Sequence, residues 1–532
     1  MRAPLQSRES DVANPDRLAE VPCKRRCSGP LLASVALLLA SSSLARAQPG
    51  DWRAPRPSAS GALPPGSASD PEEGALDAAP AGAEAYPPAA SSQPPGAPEQ
   101  KRAPPGYAPE APPSAGRTLL WVPRIVLLPA FVVTEYALRW PLTRGASYAE
   151  HHYWPQQVVD FFTFGPNNEA ALWPFFYFDL GFRARAGLYF SWDGAFVPAN
   201  SVSLRATTGG TDSFQLGAKD SYALRSDAHL NLTASISRRP DLAFWGLGPE
   251  SAGEPFRYGS SVLRVAAAAQ LSGWRSSALG MEVALQRRRF DTGATSLGDA
   301  SLDQAIAGGR LAALPPGTDG YTTVSPMVRA ALDSRRPRDE DGQVTEDSVS
   351  PPGTGLRLAA HAGYSLDLER PRATDTARSW LRYGGLAAAY LDLTGQQRTL
   401  GLSVRAELVH ALAGGPQVPF TEQPALGGGQ PMPGLRGRRL VGPSAVTARL
   451  QYRWPIWVSL DGTADAALGN VFGPELAGFD VGLLRASFAV GVTTTAARDA
   501  GLELLIGAGT GTLRSGAELE EMRLAVGTTI SF

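Results

Sequence analysis

Two residue types that commonly cross-link proteins or bind metals are scarce in this 532-residue chain. Cysteine occurs twice, at Cys23 and Cys27, and histidine occurs five times. Two cysteines without a second pair of ligands are a weak signal for a zinc site. The histidines are scattered, and the adjacent His151 and His152 would point apart on a strand or loop. We therefore expect no cofactor and no metal.

An excess of charge and a hydrolase motif are also missing. The 49 Lys and Arg residues nearly balance the 50 Asp and Glu residues, so bulk electrostatic attraction to nucleic acid is not expected. The segment GYSLD, residues 363–367, lacks the second glycine of a G-x-S-x-G nucleophile elbow. Arg357, Arg405 and Glu407 are better explained as the lining of the polar interior of the barrel predicted below than as acid–base catalysts. We expect no enzyme activity.

The N-terminus has the order of an export signal. Basic residues 24–26 precede a short apolar run, residues 29–40, and then small residues at Ala45 and Ala47. This apolar run is too short to span a bilayer as a helix. A basic region, a short apolar core and an A-x-A site predict a signal peptide over residues 1–47. Its cleavage would remove both cysteines.

Two segments follow before any strand pattern begins. Residues 48–116 are rich in Ala, Pro, Ser, Gly and Glu, which predicts a disordered linker because little apolar surface can offset the entropy of ordering. Residues 117–170 form a pre-barrel segment that contains the most hydrophobic part of the mature chain. Prolines and charges interrupt it and argue against a spanning helix. It is either a short helix, near residues 130–140, or a buried lead-in.

Residues 171–532 alternate apolar and polar side chains, which is typical of β-strands. In MRLAVGTTISF, residues 522–532, Met522, Leu524 and Val526 share one face. We predict sixteen strands, an even number as in bacterial membrane barrels. They begin near Leu172, Phe182, Ser201, Ser213, Ala228, Ser260, Ser277, Tyr321, Gly355, Trp380, Arg398, Ala445, Asp461, Leu484, Gly501 and Met522.

A soluble sandwich also alternates, but the long strands and the preceding export signal favour a membrane barrel. A sheet edge cannot remain open in lipid, so the predicted fold is all-β, a closed antiparallel transmembrane β-barrel. Short even-numbered turns would place both termini in the periplasm. The long break at residues 335–354 follows the eighth strand and conflicts with that topology, so a strand boundary there is expected to be wrong.

Residues 424–456, PALGGGQPMPGLRGRRLVGPSAVTARLQYRWPI, resemble the sixth extracellular loop and following strand of the BamA/TamA superfamily (bacterial surface antigen type). The segment FWGLGPES, residues 244–251, also resembles the family barrel. The chain end resembles a C-terminal assembly signal, formed here by Val526, Thr528, Ile530 and Phe532. The family's periplasmic repeat domains have no counterpart upstream.

The resemblance implies a barrel in the bacterial outer membrane that inserts or translocates protein or lipid. Implied partners are outer-membrane lipid and lipopolysaccharide, and a protein client or periplasmic partner. A weak seam between the first and last strands would be the mechanism. The alternative is a passive pore or structural barrel without assembly activity.

Leu435, Arg436 and Gly437 resemble the tip of the family's loop, which folds into the lumen. There the arginine contacts an acidic residue on the following strands. The usual aspartate corresponds to Ala467 in this chain, so we predict that Arg436 pairs with Asp465, supported by Gln451. Glu407 and Glu503, also on inward faces, are the alternative partners. The other interpretation is a solvated arginine cluster that touches lipopolysaccharide.

Overall fold

A computed structural model describes the pre-barrel segment in part and most of the barrel. The described residues are 144, 151–152, 154–165, 168–251, 253–335, 353–369, 376–394, 397–429, 431–457, 460–494 and 500–530. The predicted signal peptide, the linker, the helix near residues 130–140 and Phe532 lie outside them.

Sixteen strands form a closed antiparallel barrel. Two-residue strand β1 (Thr163–Phe164) precedes them and pairs with the first barrel strand. The first eight barrel strands are β2 (Ala170–Asp179), β3 (Arg185–Asp193), β4 (Asn200–Thr208), β5 (Phe214–Arg225), β6 (Ala228–Phe244), β7 (Phe256–Ser272), β8 (Ala278–Asp291) and β9 (Tyr321–Asp333).

The remaining barrel strands continue the same meander, and a small hairpin interrupts it. The hairpin consists of β13 (Ala425–Leu426) and β14 (Leu440–Val441). The barrel strands are β10 (Gly355–Asp367), β11 (Ala377–Asp392), β12 (Thr399–Gly414), β15 (Ser444–Trp457), β16 (Leu460–Phe472), β17 (Arg485–Thr494), β18 (Ala500–Thr512) and β19 (Leu519–Ile530).

The predicted strand count and strand positions are confirmed. The largest difference between a predicted and an observed start is four residues, between Ser260 and Phe256. We expected a misplaced strand boundary near residues 335–354, and this expectation is wrong. Strands β9 and β10 pair directly across that break. This long connection therefore lies at the end of the barrel that carries the termini, here called the terminal end. The opposite end is called the loop end.

The barrel is apolar outside and polar inside. On β8, Leu279, Met281, Val283 and Leu285 are exposed, whereas Glu282 and Gln286 on the alternate positions face the lumen. Leu356 and Leu358 of β10 are likewise exposed, at 62% and 57%, whereas Arg357 between them is buried. A soluble sheet buries its apolar face, so the reversed pattern is that of a transmembrane barrel.

Ion pairs line the lumen, as the sequence predicts. Arg405 Nε lies 3.0 Å from Glu407 Oε1, and His361 Nε2 lies 3.0 Å from Glu407 Oε2. Further pairs join neighbouring strands: Arg329–Glu282, Arg449–Asp465 and Arg453–Asp461. Carboxylates that accept bonds from arginine can satisfy charges held on a closed inner wall.

Two short helices flank these strands. Helix α1 (Trp154–Phe162) leads into β1, and the ring of Phe162 lies 5.0 Å from that of Trp173. Helix α2 (Leu302–Ala307) lies in the loop between β8 and β9 and packs on an aromatic cluster that includes Tyr258 and Phe420. Among the described residues, no helix is both long and apolar enough to cross a membrane.

The outward apolar belt predicts that the effect of a charge depends on its depth. Val283→Arg, near the middle of β8, should destabilise the barrel in lipid by about 2–4 kcal/mol, and Leu279→Arg near the terminal end by about 0–1 kcal/mol. Both residues are exposed on the same strand. Urea unfolding in liposomes measures the difference. Equal losses at the two positions would contradict the assigned belt.

Candidate functional site

The loop from residue 415 to residue 443, called the lumen loop, joins β12 to β15. It is the sixth connection at the loop end, and it contacts the inner wall of the barrel. Its apolar side chains are buried against inward-facing wall residues of β15 and β16. The cluster comprises Leu426, Met432, Leu435, Leu440, Ala445, Ala467 and Val471. The expected position of this loop inside the lumen is therefore confirmed.

The tip of the lumen loop fits a wall of glycines on β18. A Cβ atom at Gly434 would stand 2.2 Å from the carbonyl oxygen of Ala508 and 2.4 Å from that of Phe488. On β18, a Cβ atom at Gly507 would stand 2.7 Å from Cα of Gly434, and one at Gly509 would stand 2.1 Å from Cδ2 of Leu435. The Gly434 N–H also donates to Ser487 Oγ at 2.8 Å. The close approach of two backbones thus requires glycine on both sides.

Arg436 of the tip lies beside Glu521 on the last strand. Its backbone N–H donates to Glu521 Oε1 at 3.1 Å, and its Nε lies 3.7 Å from Glu521 Oε2. The next tip residue, Gly437, lies near the ring of Phe182. The carboxylate nearest the arginine is therefore contributed by β19, the strand next to β18.

The predicted pairing of Arg436 with Asp465 is wrong. Arg449 Nε donates to Asp465 Oδ1 at 2.7 Å, so this carboxylate is already neutralised by the neighbouring strand. Gln451 faces Thr463, with 3.4 Å between Nε2 and Oγ1. The register pairs Gln451 with Asp465 on the lumen wall.

The arginines that follow the tip are anchored on different partners. Arg438 adopts a positive φ of 58° and donates from Nη2 to the carbonyl oxygen of Phe420 at 3.0 Å. Arg439 is 2% exposed and donates from Nη2 to Glu520 Oε2 at 3.0 Å. Burial lowers the pKa of both guanidinium groups. Both arginines are bonded to protein groups, so the interpretation of a solvated arginine cluster is wrong.

Glu520 and Glu521 are the residues that sequence reasoning missed. They stand at the start of β19, in the segment ELEEMRL, residues 518–524. Glu520 Oε2 also accepts from Arg485 Nη1 at 2.6 Å. Two adjacent carboxylates at the start of a membrane strand were a signal that arginine partners lie nearby.

The N-terminal part of the lumen loop contacts the other side of the barrel. Tyr321 of β9 donates to Glu422 Oε1 at 2.5 Å, and Gln286 Nε2 of β8 donates to the same oxygen at 3.2 Å. The ring of Phe420 lies 5.3 Å from that of Tyr258. The lumen loop therefore spans the barrel from β8 and β9 to β19.

The closure between the first and last barrel strands, called the seam, is short. Within the described residues, β19 and β2 pair at three positions: Ala525↔Asp179, Val526↔Phe178 and Gly527↔Tyr177. By contrast, β19 pairs with β18 from Leu519 to Ile530. Gly527 of the last pair has a φ of 146°, and a Cβ atom there would stand 2.2 Å from the carbonyl oxygen of Phe176 on β2, so this position requires glycine.

A buried ion pair crosses the seam beside these pairs. Arg523 Nε lies 3.1 Å from Asp179 Oδ1, and its Nη2 lies 3.1 Å from Asp179 Oδ2. The third nitrogen, Nη1, donates to the carbonyl oxygen of Pro433 at 2.9 Å. One arginine thus bonds to both edges of the seam and to the tip of the lumen loop.

The predicted assembly signal lies partly on the seam strand. Val526 pairs with Phe178 across the seam and with Leu504 on the other side. Thr528 and Ile530 continue β19, and Phe532 lies outside the described residues. The signalling role of these residues stays a prediction.

The glycine contact predicts a specific effect on loop docking. Gly434→Ala should displace the tip by steric clash with two carbonyl oxygens, costing about 1–3 kcal/mol. Trypsin should then cut the folded protein at the tip arginines. Gly429→Ala is the matched control, because a Cβ atom there meets nothing within 4 Å. Equal protection of both variants would contradict the docking.

Removing the Arg436 side chain should weaken the barrel modestly. Arg436→Ala takes one cation from Glu521, which keeps its contact with Arg439, so we expect a loss of about 1 kcal/mol. Less heat-stable barrel on semi-native gels would report it. Arg514→Ala, which breaks an exposed ion pair with Asp480, is the control. An unchanged gel pattern for Arg436→Ala would exclude a bracing role.

Comparisons with known proteins give only distant likenesses. The sequence matches no family model and no curated protein. A BamA structure from Haemophilus ducreyi lacking POTRA domains 1-3 is similar, with a TM-score of 0.43 and 11% identity over 68% of this chain and 70% of that chain.

Two CdiB structures are similar at the same level. CdiB from Acinetobacter baumannii gives a TM-score of 0.40 with 11% identity, and CdiB from Escherichia coli gives 0.41 with 12%. They cover 68% and 67% of this chain, and 60% and 62% of the CdiB chains, which is less than two thirds of each. None of these similarities assigns a role to a residue of this chain.

Proposed function

We propose that the chain is a BamA/TamA-type barrel of the bacterial outer membrane that inserts or translocates a polypeptide or lipid through the seam. The observation that carries the proposal is the short pairing between β2 and β19. Each broken backbone pair exposes polar groups to lipid at a cost. Within the described residues, opening the seam therefore exposes fewer backbone polar groups than opening any other boundary between barrel strands.

The ion pair of Arg523 and Asp179 would control that opening. Separating the strands breaks a buried bidentate contact, which costs more than an exposed ion pair because the separated charges lose their partners. The Arg523 guanidinium also donates to the carbonyl oxygen of Pro433 in the lumen loop. Opening of the seam and movement of the loop tip are therefore coupled in the proposed mechanism.

A passive pore is the second candidate function, and the lumen loop counts against it. The loop contacts β8 and β9 on one side and β19 on the other. A chain segment fixed across the lumen obstructs free diffusion. A large, steady conductance of the purified protein in planar bilayers would favour the pore instead.

Locking the seam with a disulfide tests the proposed function. Phe178→Cys with Val526→Cys joins residues that are paired across the seam. Leu504→Cys with Val526→Cys joins β18 to β19 and leaves the seam free. Directly paired residues have Cα separations within the range of a disulfide. The natural cysteines lie in the predicted signal peptide.

The readout is the folding of a urea-unfolded outer-membrane barrel into liposomes that contain each variant. We expect the oxidised seam variant to fall to the rate of empty liposomes and to recover on reduction. The β18–β19 variant should keep its activity when oxidised. Full activity of the locked seam variant would refute passage through the seam.

A further inference from the structure

Three arginines interrupt the apolar outer surface of the barrel at one place. Arg238 of β6 and Arg287 and Arg289 of β8 stand on outward-facing positions near the loop end. The side chains of Arg287 and Arg289 are 55% and 43% exposed. We call these three residues the outer arginine patch. On the neighbouring β9, the even-numbered residues from 322 to 332 face outward, and none of them is charged.

The strand register brings the members of the patch together. Arg238 pairs with Ser261 of β7, and Ser261 pairs in turn with Arg289. Two strand spacings separate the two arginines, which is about 10 Å. Between them stands the small, exposed side chain of Ser261. The patch is therefore a shallow cradle with a guanidinium on each side.

Apolar side chains lie directly on the membrane side of the cradle. Leu263 and Leu285 are 40% and 47% exposed on the same outward face. An arginine on the lipid face is costly at the bilayer midplane and nearly free of cost at the interface. The patch thus fits the level of lipid headgroups, above the hydrocarbon layer.

The carboxylates around the patch leave part of its charge unpaired. Glu369 lies 3.2 Å from Arg289 Nη1 and 3.8 Å from Arg287 Nε, and it also accepts from Thr322. Asp291, on the same face of β8, accepts from the Gly293 N–H. Among the residues that the structure describes, no carboxylate forms an ion pair with Arg238. Three cations therefore face two carboxylates.

We propose that the outer arginine patch binds a phosphorylated, acylated glycolipid of the outer leaflet. Guanidinium groups bind phosphate oxygens in a bidentate manner, and the acyl chains would lie along Leu263 and Leu285. The spread over three strands is wider than one phosphate and suits a headgroup with more than one. The proposal rests on the outer-membrane location proposed above, but it needs no activity of the seam.

Native mass spectrometry of the purified full chain with bisphosphorylated lipid A tests the site. Arg238→Gln with Arg289→Gln should raise the Kd about tenfold or more, since each lost charge-assisted contact weakens binding. Lysine at both positions should restore part of the affinity. The control is Arg225→Gln, an exposed arginine paired with Asp227 near the terminal end, which should bind as the wild type does.

Other outcomes would overturn the proposal. These are an unchanged Kd in the double variant, an equal loss in Arg225→Gln, or binding of phosphatidylglycerol or inorganic phosphate as tight and as arginine-dependent as that of lipid A. Unchanged heat-stable barrel on semi-native gels confirms that each variant folds, and Arg238→Gln alone serves if the double variant does not. The seam-locked variant should still bind lipid A, which separates this site from the proposed function.

Discussion

The buried ion pair of Arg523 and Asp179 connects the parts of this barrel that could otherwise move independently. It joins the first strand to the last and holds the tip of the lumen loop at Pro433. The charges lie in a closed wall where water cannot solvate them freely, so each depends on the other. Few backbone pairs close the seam, and this side-chain contact supplements them.

Glycine determines where the lumen loop can dock. The tip approaches the carbonyl groups of β17 and β18 so closely that neither Gly434 nor the wall glycines tolerate a Cβ atom. Docking at this wall brings Arg436 and Arg439 next to the carboxylates at the start of β19. The position of the tip therefore follows from steric fit, and its charge pairing follows from its position.

The fold was predictable from the sequence because period-two alternation is local. Each strand reveals its own faces, so the sixteen strands, the polar lumen and the apolar outside follow from short windows of residues. The partner of Arg436 was not predictable in the same way. It depends on where a loop of nearly thirty residues, 415–443, lands across the barrel, and Asp465 is taken by Arg449 of the adjacent strand. The strand order alone does not reveal such competition.

The pairing of β1 with Ala170 and Ala171 limits the free edge of β2, the first barrel strand. Between that pairing and the seam, residues 172–176 of β2 remain as the edge available to another strand, within the described part of the chain. Pro174 stands in the middle of this stretch and has no N–H to donate. A guest strand would thus find a template of about five residues, and it could extend its ladder toward the terminal end only by displacing the chain's own lead-in.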